Sequence, residues 1–239
     1  MLIPAPCKIL SKWPKLTTAA GTITYVGSNA SADANDGTFD ITNTMDTGSS
    51  VFQRGDLVFL LVATGNDAGT ADTHLISRQG GWKLLVREVN TIRMEVWYRM
   101  LESFDELGTT RMSACDVTDA RFAGYYVVRG VDPWDHFHGV GPTIATGSST
   151  NPDPASITPV SENSLIIVFA ASGVNDSTPG GITSYGNQET SSVLDDFPIT
   201  GTTISRSLAV AAAENPGAFA TWSTGAWITA TVAVVPARY

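Results

Sequence analysis

The sequence predicts an all-β chain folded as an antiparallel, jelly-roll-like β-sandwich built from two similar halves and entered by an extended N-terminal arm. Three observations carry this reading. The 239 residues include 22 Gly and 12 Pro among many small and β-branched residues, a composition that favours short strands and turns over long helices. The apolar runs are short and several alternate with polar residues, the period of a strand. The order of these runs begins again past the middle of the chain. With 43% apolar and only 15% charged residues, a real core is expected rather than a disordered, highly charged chain.

Taken in order, residues 1–20 hold Pro4, Pro6 and Pro14, which fix φ, remove backbone donors and discourage helix in the preceding residue, so an extended arm is predicted. TITYV (22–26) and TFDIT (38–42) read as strands joined by the turn-rich SNASADANDG (28–37). GDLVFLLVATG (55–65) is a near-continuous apolar run and predicts a central strand buried on both faces. GWKLLVREV (81–89) and RMEVWYRML (93–101) follow. In the second, Met94, Val96, Tyr98 and Met100 mark a core face, and Arg93, Glu95, Trp97 and Arg99 a polar one. TTRMSACDVTDARFAGYYVVRG (109–130) supplies two more strands and stops at a turn before Asp132-Pro133. This closes a first half over about 21–130.

Residues 131–156, rich in Gly, Pro, Ser and Thr, predict a surface connecting loop anchored by Trp134 and Phe137. The pattern then resumes over 157–239. SLIIVFAASGVND (164–176) echoes DLVFLLVATGND (56–67) at an interval of 108 residues, 164 − 56. ISRSLAVAAAE (204–214) answers IRMEVWYRMLE (92–102) at 112 residues, 214 − 102, and AFATWSTGAWITATVAVVPA (218–237) stands where 109–130 stood. Two units are too few for a solenoid, so the duplication predicts two sheets packed around one shared core in 21–239.

Chemistry-bearing patterns are sparse. Fourteen basic against twenty-three acidic residues give a net charge of −9, which repels a phosphate backbone, and no basic cluster offsets it. No apolar run approaches the roughly 20 residues of a membrane span. The first residues place their lysines after a short apolar patch broken by prolines, unlike a secretory signal, which predicts synthesis in the cytoplasm. Cys7 and Cys115 are far apart and write neither a zinc site nor a disulfide framework. Phosphate-binding glycine loops, the GxSxG elbow and the HExxH helix are absent, so no catalytic residue is assigned. His136 and His138 in DPWDHFHG (132–139), near Asp132 and Asp135, resemble part of a metal set, but a third ligand would have to come from elsewhere, such as His74. The acidic stretches around Asp33, Asn35, Asp36 and Asp40, and over 64–72, match no calcium loop and read as Asx turns. Carboxylate pairs drawn from Asp116, Asp119, Asp195 and Asp196 carry no spacing that defines a glycosidase. No metal or cofactor is therefore expected. Among the tryptophans, core use is the general expectation; Trp97, on the polar phase of its strand, and Trp134, in the connecting loop, are the candidates for stacking on a sugar.

GDLVFLLVATG (55–65), GGWKLLV (80–86), MEVWYRM (94–100) and YYVVRGVDPWD (125–135), in this order, resemble the strand and turn motifs of tailed-phage virion proteins. The resemblance spans about residues 50–237; in the second half Tyr185 stands near the expected Trp, and Pro236 replaces the Arg-Gly turn. It implies a non-enzymatic β-sandwich displayed on a virus particle and partnered by other virion proteins in an oligomeric assembly; the net charge and the short apolar runs set the expectation of no nucleic-acid and no membrane contact. A capsid decoration protein is the favoured form. Its attachment would lie in the arm, through Leu2, Ile3, Pro4, Pro6, Ile9, Leu10 and Trp13. The alternative is a tail or fibre component that binds host-surface glycan through Trp97 or Trp134.

Overall fold

The two strongest apolar runs become the central strands of two sheets, because only a strand flanked on both sides and covered on both faces can bury every side chain. The computed structural model describes residues 21–33, 39–41, 53–65, 75–76, 81–102, 110–112, 121–176, 179–193 and 198–238. Over these residues the strands are β1 (Thr24–Asp33), β2 (Phe39–Ile41), β3 (Leu57–Thr64), β4 (Leu75–Ile76), β5 (Lys83–Val89), β6 (Arg93–Met100), β7 (Thr110–Met112), β8 (Arg121–Arg129), β9 (Thr143–Ser149), β10 (Ser164–Ser172), β11 (Gly186–Val193), β12 (Ile199–Leu208) and β13 (Gly225–Val234). They form a five-stranded sheet in the order β1-β8-β3-β6-β5, a second in the order β11-β12-β10-β13-β9, and a small sheet β2-β7-β4. All pairings are antiparallel. The expected arm, residues 1–20, lies outside the described residues.

The duplication takes a specific form, in which each half closes one complete sheet. In chain order β1, β3, β5, β6 and β8 correspond to β9, β10, β11, β12 and β13, and both sets have the same neighbours. The sheets stack with β1 over β11, β8 over β11 and β12, β3 over β12 and β5 beside β13.

Register fixes which residues correspond. Leu57 pairs with Val128 and Met100, and Leu165 pairs with Val234 and Ser207. Arg206 therefore stands where Arg99 stands. The interval of 112 residues expected between 92–102 and 204–214 is thus five too long, 206 − 99 being 107. The small residues 209–213 had suggested a continuing strand, but the chain leaves the sheet after Leu208.

Two further expectations change. The turn-rich 28–37 is strand as far as Asp33, paired with β8 from Ser28↔Tyr126 to Asp33↔Arg121; a neighbouring ladder outweighs the weak β-propensity of Ser, Ala and Asn. The connecting stretch 131–156 contains β9, an edge strand whose burial alternates along its length. Its small residues serve packing: Gly147 lies under the ring of Trp227, and the Trp227 indole N–H donates to Ser149 Oγ at 3.0 Å.

Between the sheets lie Leu57, Phe59 and Leu61 of β3, Met94 and Val96 of β6, and Phe122, Tyr126 and Val128 of β8, facing Leu165, Ile167 and Phe169 of β10 and Ile228, Val232 and Val234 of β13. The Phe59 and Phe169 rings meet across the layer at 5.4 Å. Opposite Phe122 the second sheet presents Gly201, and a Cβ there would enter the Phe122 ring. The Tyr126 hydroxyl spans the layer to donate to Ser205 Oγ at 2.7 Å; burial pushes this phenol well above its usual range, against the lowering effect of the Ser205 bond.

The outer faces are also covered. On the first sheet Val58, Leu60, Val62, Tyr125 and Val127 are buried with Trp82 and Trp97 against them. On the second, Phe219, Trp222, Ile182 and Tyr185 lie over Val168, Ala170 and Ile204. The cover of the second sheet is knit by backbone bonds among three irregular stretches: Phe219 N–H to Pro152 O, Trp222 N–H to Thr150 O and Ala220 N–H to Gly181 O.

Candidate binding cleft and the loop beside it

The polar phase of β6 was expected at the surface, and the structure buries it. Glu95 is 1% exposed. Its Oε1 accepts from Arg93 Nη2 and from Arg87 Nε, both at 2.8 Å, and its Oε2 accepts the Trp97 indole N–H at 2.8 Å. A carboxylate can sit here only because guanidinium and indole donors replace water. Trp97, one of the two sugar-stacking candidates, is thereby half-buried and tied into this network. Trp82 stacks on Tyr125 nearby, with centroids 6.2 Å apart.

The residues that carried the motif pattern also meet. Asp56 of the GDL run is fully buried and holds Arg129 in a bidentate pair, Nε to Oδ1 at 2.7 Å and Nη2 to Oδ2 at 2.9 Å. Asp56 Oδ2 also accepts the Gln53 N–H at 2.8 Å. Hydrogen bonding to Asp56 raises the Arg129 pKa further. By register, Ser164 and Val235 occupy the matching places in the second half. Acid and base are lost there together, as the cost of stranding one partner demands.

After Arg129 the chain turns at Gly130 and runs along the end of the sandwich. Asp132 organises the turn: its Oδ1 accepts the N–H groups of Trp134 at 2.9 Å and Asp135 at 3.1 Å, an Asx turn. Burial favours the neutral acid, but these N–H bonds and the nearby His138 outweigh it and hold the Asp132 carboxyl below its usual range. The turn presents Trp134, the second sugar-stacking candidate, at 93% exposure. The other described tryptophans are buried or half-buried.

His136 Nδ1–H donates to the Asp132 carbonyl at 2.6 Å, and the Val235 N–H donates to the His136 carbonyl at 2.9 Å. Phe137 packs into the end of the core, edge-on to Tyr98 at 5.1 Å. The two histidines do not converge: His136 lies edge-on to Tyr98 at 5.9 Å, whereas His138 Nδ1 meets Ser161 Oγ at 3.0 Å and its Nε2 lies 3.7 Å from Asp132 Oδ2. Among the described residues no group of three or more His, Cys, Asp or Glu side chains is placed to hold a metal. His74, Cys7, Cys115, Asp36, Asp116, Asp119, Asp195 and Asp196 lie outside the described residues.

Ser161, His138 and Asp132 have the composition of a hydrolytic triad but not its geometry. Ser161 is 7% exposed and its Oγ accepts from Arg238 Nη2 at 3.2 Å, while the His–Asp separation exceeds hydrogen-bond reach. The trio pins the loop to the second half.

A cleft of about 420 Å³ opens where β5 begins and β6 ends, lined by Gly81, Lys83, Tyr98, Arg99, Glu102 and His136, with Met100. The Lys83 ammonium sits 5.9 Å from the Tyr98 ring centroid, a cation–π distance. Sequence reasoning missed this cleft because it joins three stretches separated by a sheet pairing and a crossover. The alternation on β6 and the aromatic anchors of 131–142 were the signals available. No protein-family model matches the chain, and no curated protein or solved structure is significantly similar to it.

Proposed function

We propose that the protein is a non-enzymatic structural component of a virion, a capsid decoration protein held to its neighbours through Leu2, Ile3, Pro4, Pro6, Ile9, Leu10 and Trp13. The observation that carries the reading is the Asp56–Arg129 pair. It joins the GDL run to the Arg-Gly turn, so the residues on which the phage resemblance rests act as one structural unit. The covered outer faces of both sheets suit a rigid displayed body. The test is deletion of residues 1–20 followed by particle assembly. Incorporation should be lost while the β-sheet circular dichroism and melting transition persist; normal incorporation of the shortened chain overturns the proposal.

A second reading, a tail or fibre component that recognises host glycan, is favoured by the exposure of Trp134 on a turn stiffened by Asp132. An indole so displayed offers a flat apolar face to a sugar ring. Trp134→Ala should abolish retention on a glycan array, and unchanged retention would remove this reading.

A further inference from the structure

The two five-stranded sheets end in four edge strands, β1 and β5 in one and β9 and β11 in the other. An open edge is a template for pairing with another chain, and proteins blunt it with bulges or charge. Three of the four edges are blunted in this way. β1 shifts register between Tyr25 and Gly27 and ends at Asp33. β5 shifts between Leu84 and Val86 and carries Lys83, Arg87 and Glu88. β11 shifts between Gly186 and Glu189, itself an acidic residue. β9 has neither device. It pairs with β13 in unbroken register from Thr143↔Thr231 to Ser149↔Gly225, and its sequence, TIATGSS, holds no charge and no proline. Among the described residues no strand lies on its other side.

The direction of its backbone groups follows from β13. The Ala226 carbonyl accepts the Gly173 N–H on the β10 side, and the Val235 N–H donates to the His136 carbonyl on the other. These directions alternate along a strand, so Trp227, Thr229 and Thr231 turn their groups toward β9, where their partners are Gly147, Ala145 and Thr143. Ile144, Thr146 and Ser148 therefore point their N–H and C=O groups away from β13. Ile144 and Thr146 oppose Ala230 and Ile228, which belong to the core between the sheets. All three side chains are nonetheless exposed, Ile144 at 38%.

We propose that β9 is a self-association edge, pairing antiparallel with β9 of a second copy across a two-fold axis at Thr146. That centre uses the whole strand: Thr146 meets the partner's Thr146, Ile144 meets the partner's Ser148, and about six backbone hydrogen bonds form. The interface is isologous and merges the two second sheets into one. Charge selects this occupant. At a net charge of −9 two copies repel over most of their surface, but residues 139–152 contain no Asp, Glu, Lys or Arg. The second copy supplies a strand of equal length that is uncharged as well, so pairing buries no charge on either side. The contact is separate from attachment through the arm.

Sedimentation velocity of the intact chain should show a monomer–dimer equilibrium. Thr146→Pro removes the N–H at the axis from both copies and spares the β13 ladder, which that N–H faces away from. Association should weaken about thirtyfold, the worth of two backbone hydrogen bonds. Thr146→Lys sets two ammonium groups opposite each other on an exposed face and should also give monomer. Both variants should keep the melting temperature of the unaltered chain. Ile9→Asp combined with Trp13→Asp, which alters the arm, should leave the dimer intact. A chain that stays monomeric up to about 100 μM, or a dimer undiminished in either folded Thr146 variant, overturns the inference. Loss of the dimer in the arm variant overturns it too, because a neighbour's arm would then hold the edge.

Discussion

Buried charge makes Glu95 a sensitive position. Glu95 is enclosed by Arg87, Arg93 and Trp97, so Glu95→Ala removes the carboxylate that neutralises two guanidinium groups, one of them 8% exposed. The expected loss is about 3 kcal/mol, measured by urea denaturation, with Glu95→Gln milder because it keeps an acceptor. Gly201 is the opposite kind of position, defined by space. Gly201→Ala sets a methyl against the Phe122 ring, and overpacking should cost about 1–3 kcal/mol. The double change with Phe122→Leu should recover part of it. Neither residue stands out in the sequence: Glu95 alternates as a surface residue would, and Gly201 is one glycine among 22.

At the level of elements, the loop over 131–142 is held by Asp132 at one end and by the His138–Ser161 contact at the other. The Asp132 carboxyl titrates below its ordinary value of 3.8 in the folded chain. A depressed acid stabilises the fold above its unfolded pKa, and that contribution falls away as pH drops through the folded pKa. The acid limb of stability below about pH 4 should therefore soften in Asp132→Asn, whose amide oxygen still accepts the Trp134 and Asp135 N–H groups. Carboxyl-detected NMR of the wild type should place the Asp132 midpoint under that of a free aspartate. The aromatic anchors of this loop were legible in the sequence, since Trp134 and Phe137 sit in a Pro/Gly-rich stretch. Their opposite fates were not. Phe137 meets the ring of Phe59 at 6.4 Å, whereas Trp134 meets solvent.

For the molecule as a whole, two sheets that share one apolar layer should unfold together. Each half alone would expose the inner face of its sheet: Leu57, Phe59 and Phe122 in one, Leu165, Ile167 and Val232 in the other. Calorimetry of the intact chain should show one transition whose calorimetric and van't Hoff enthalpies agree. Residues 21–130 expressed by themselves should bind a hydrophobic dye and lack a cooperative melt. Two separate transitions would mean that the halves are independent domains. The buried Tyr126 phenol adds a base limb: its folded pKa is raised, so its contribution is intact below about pH 10 and is lost as pH climbs above the ordinary tyrosine value.

By itself the sequence determined the β class, the two central strands and the duplication, because these depend on local quantities: apolar run length, the two-residue period and the recurrence of both along the chain. It also placed Tyr185 near the position of Trp82. Only the tertiary structure decided register, partner and exposure. These depend on which strands lie side by side and which sheet lies above, and a shift of five residues in aligning the halves leaves a small-residue pattern almost unchanged. Residues 28–33 and 143–149 become strands through ladders supplied by β8 and β13. Asp56 meets Arg129 across 73 residues of chain, and the cleft forms where a strand pairing brings Lys83 to Tyr98 and the crossover loop adds His136. Each of these contacts is non-local, and no pattern within a single segment encodes it.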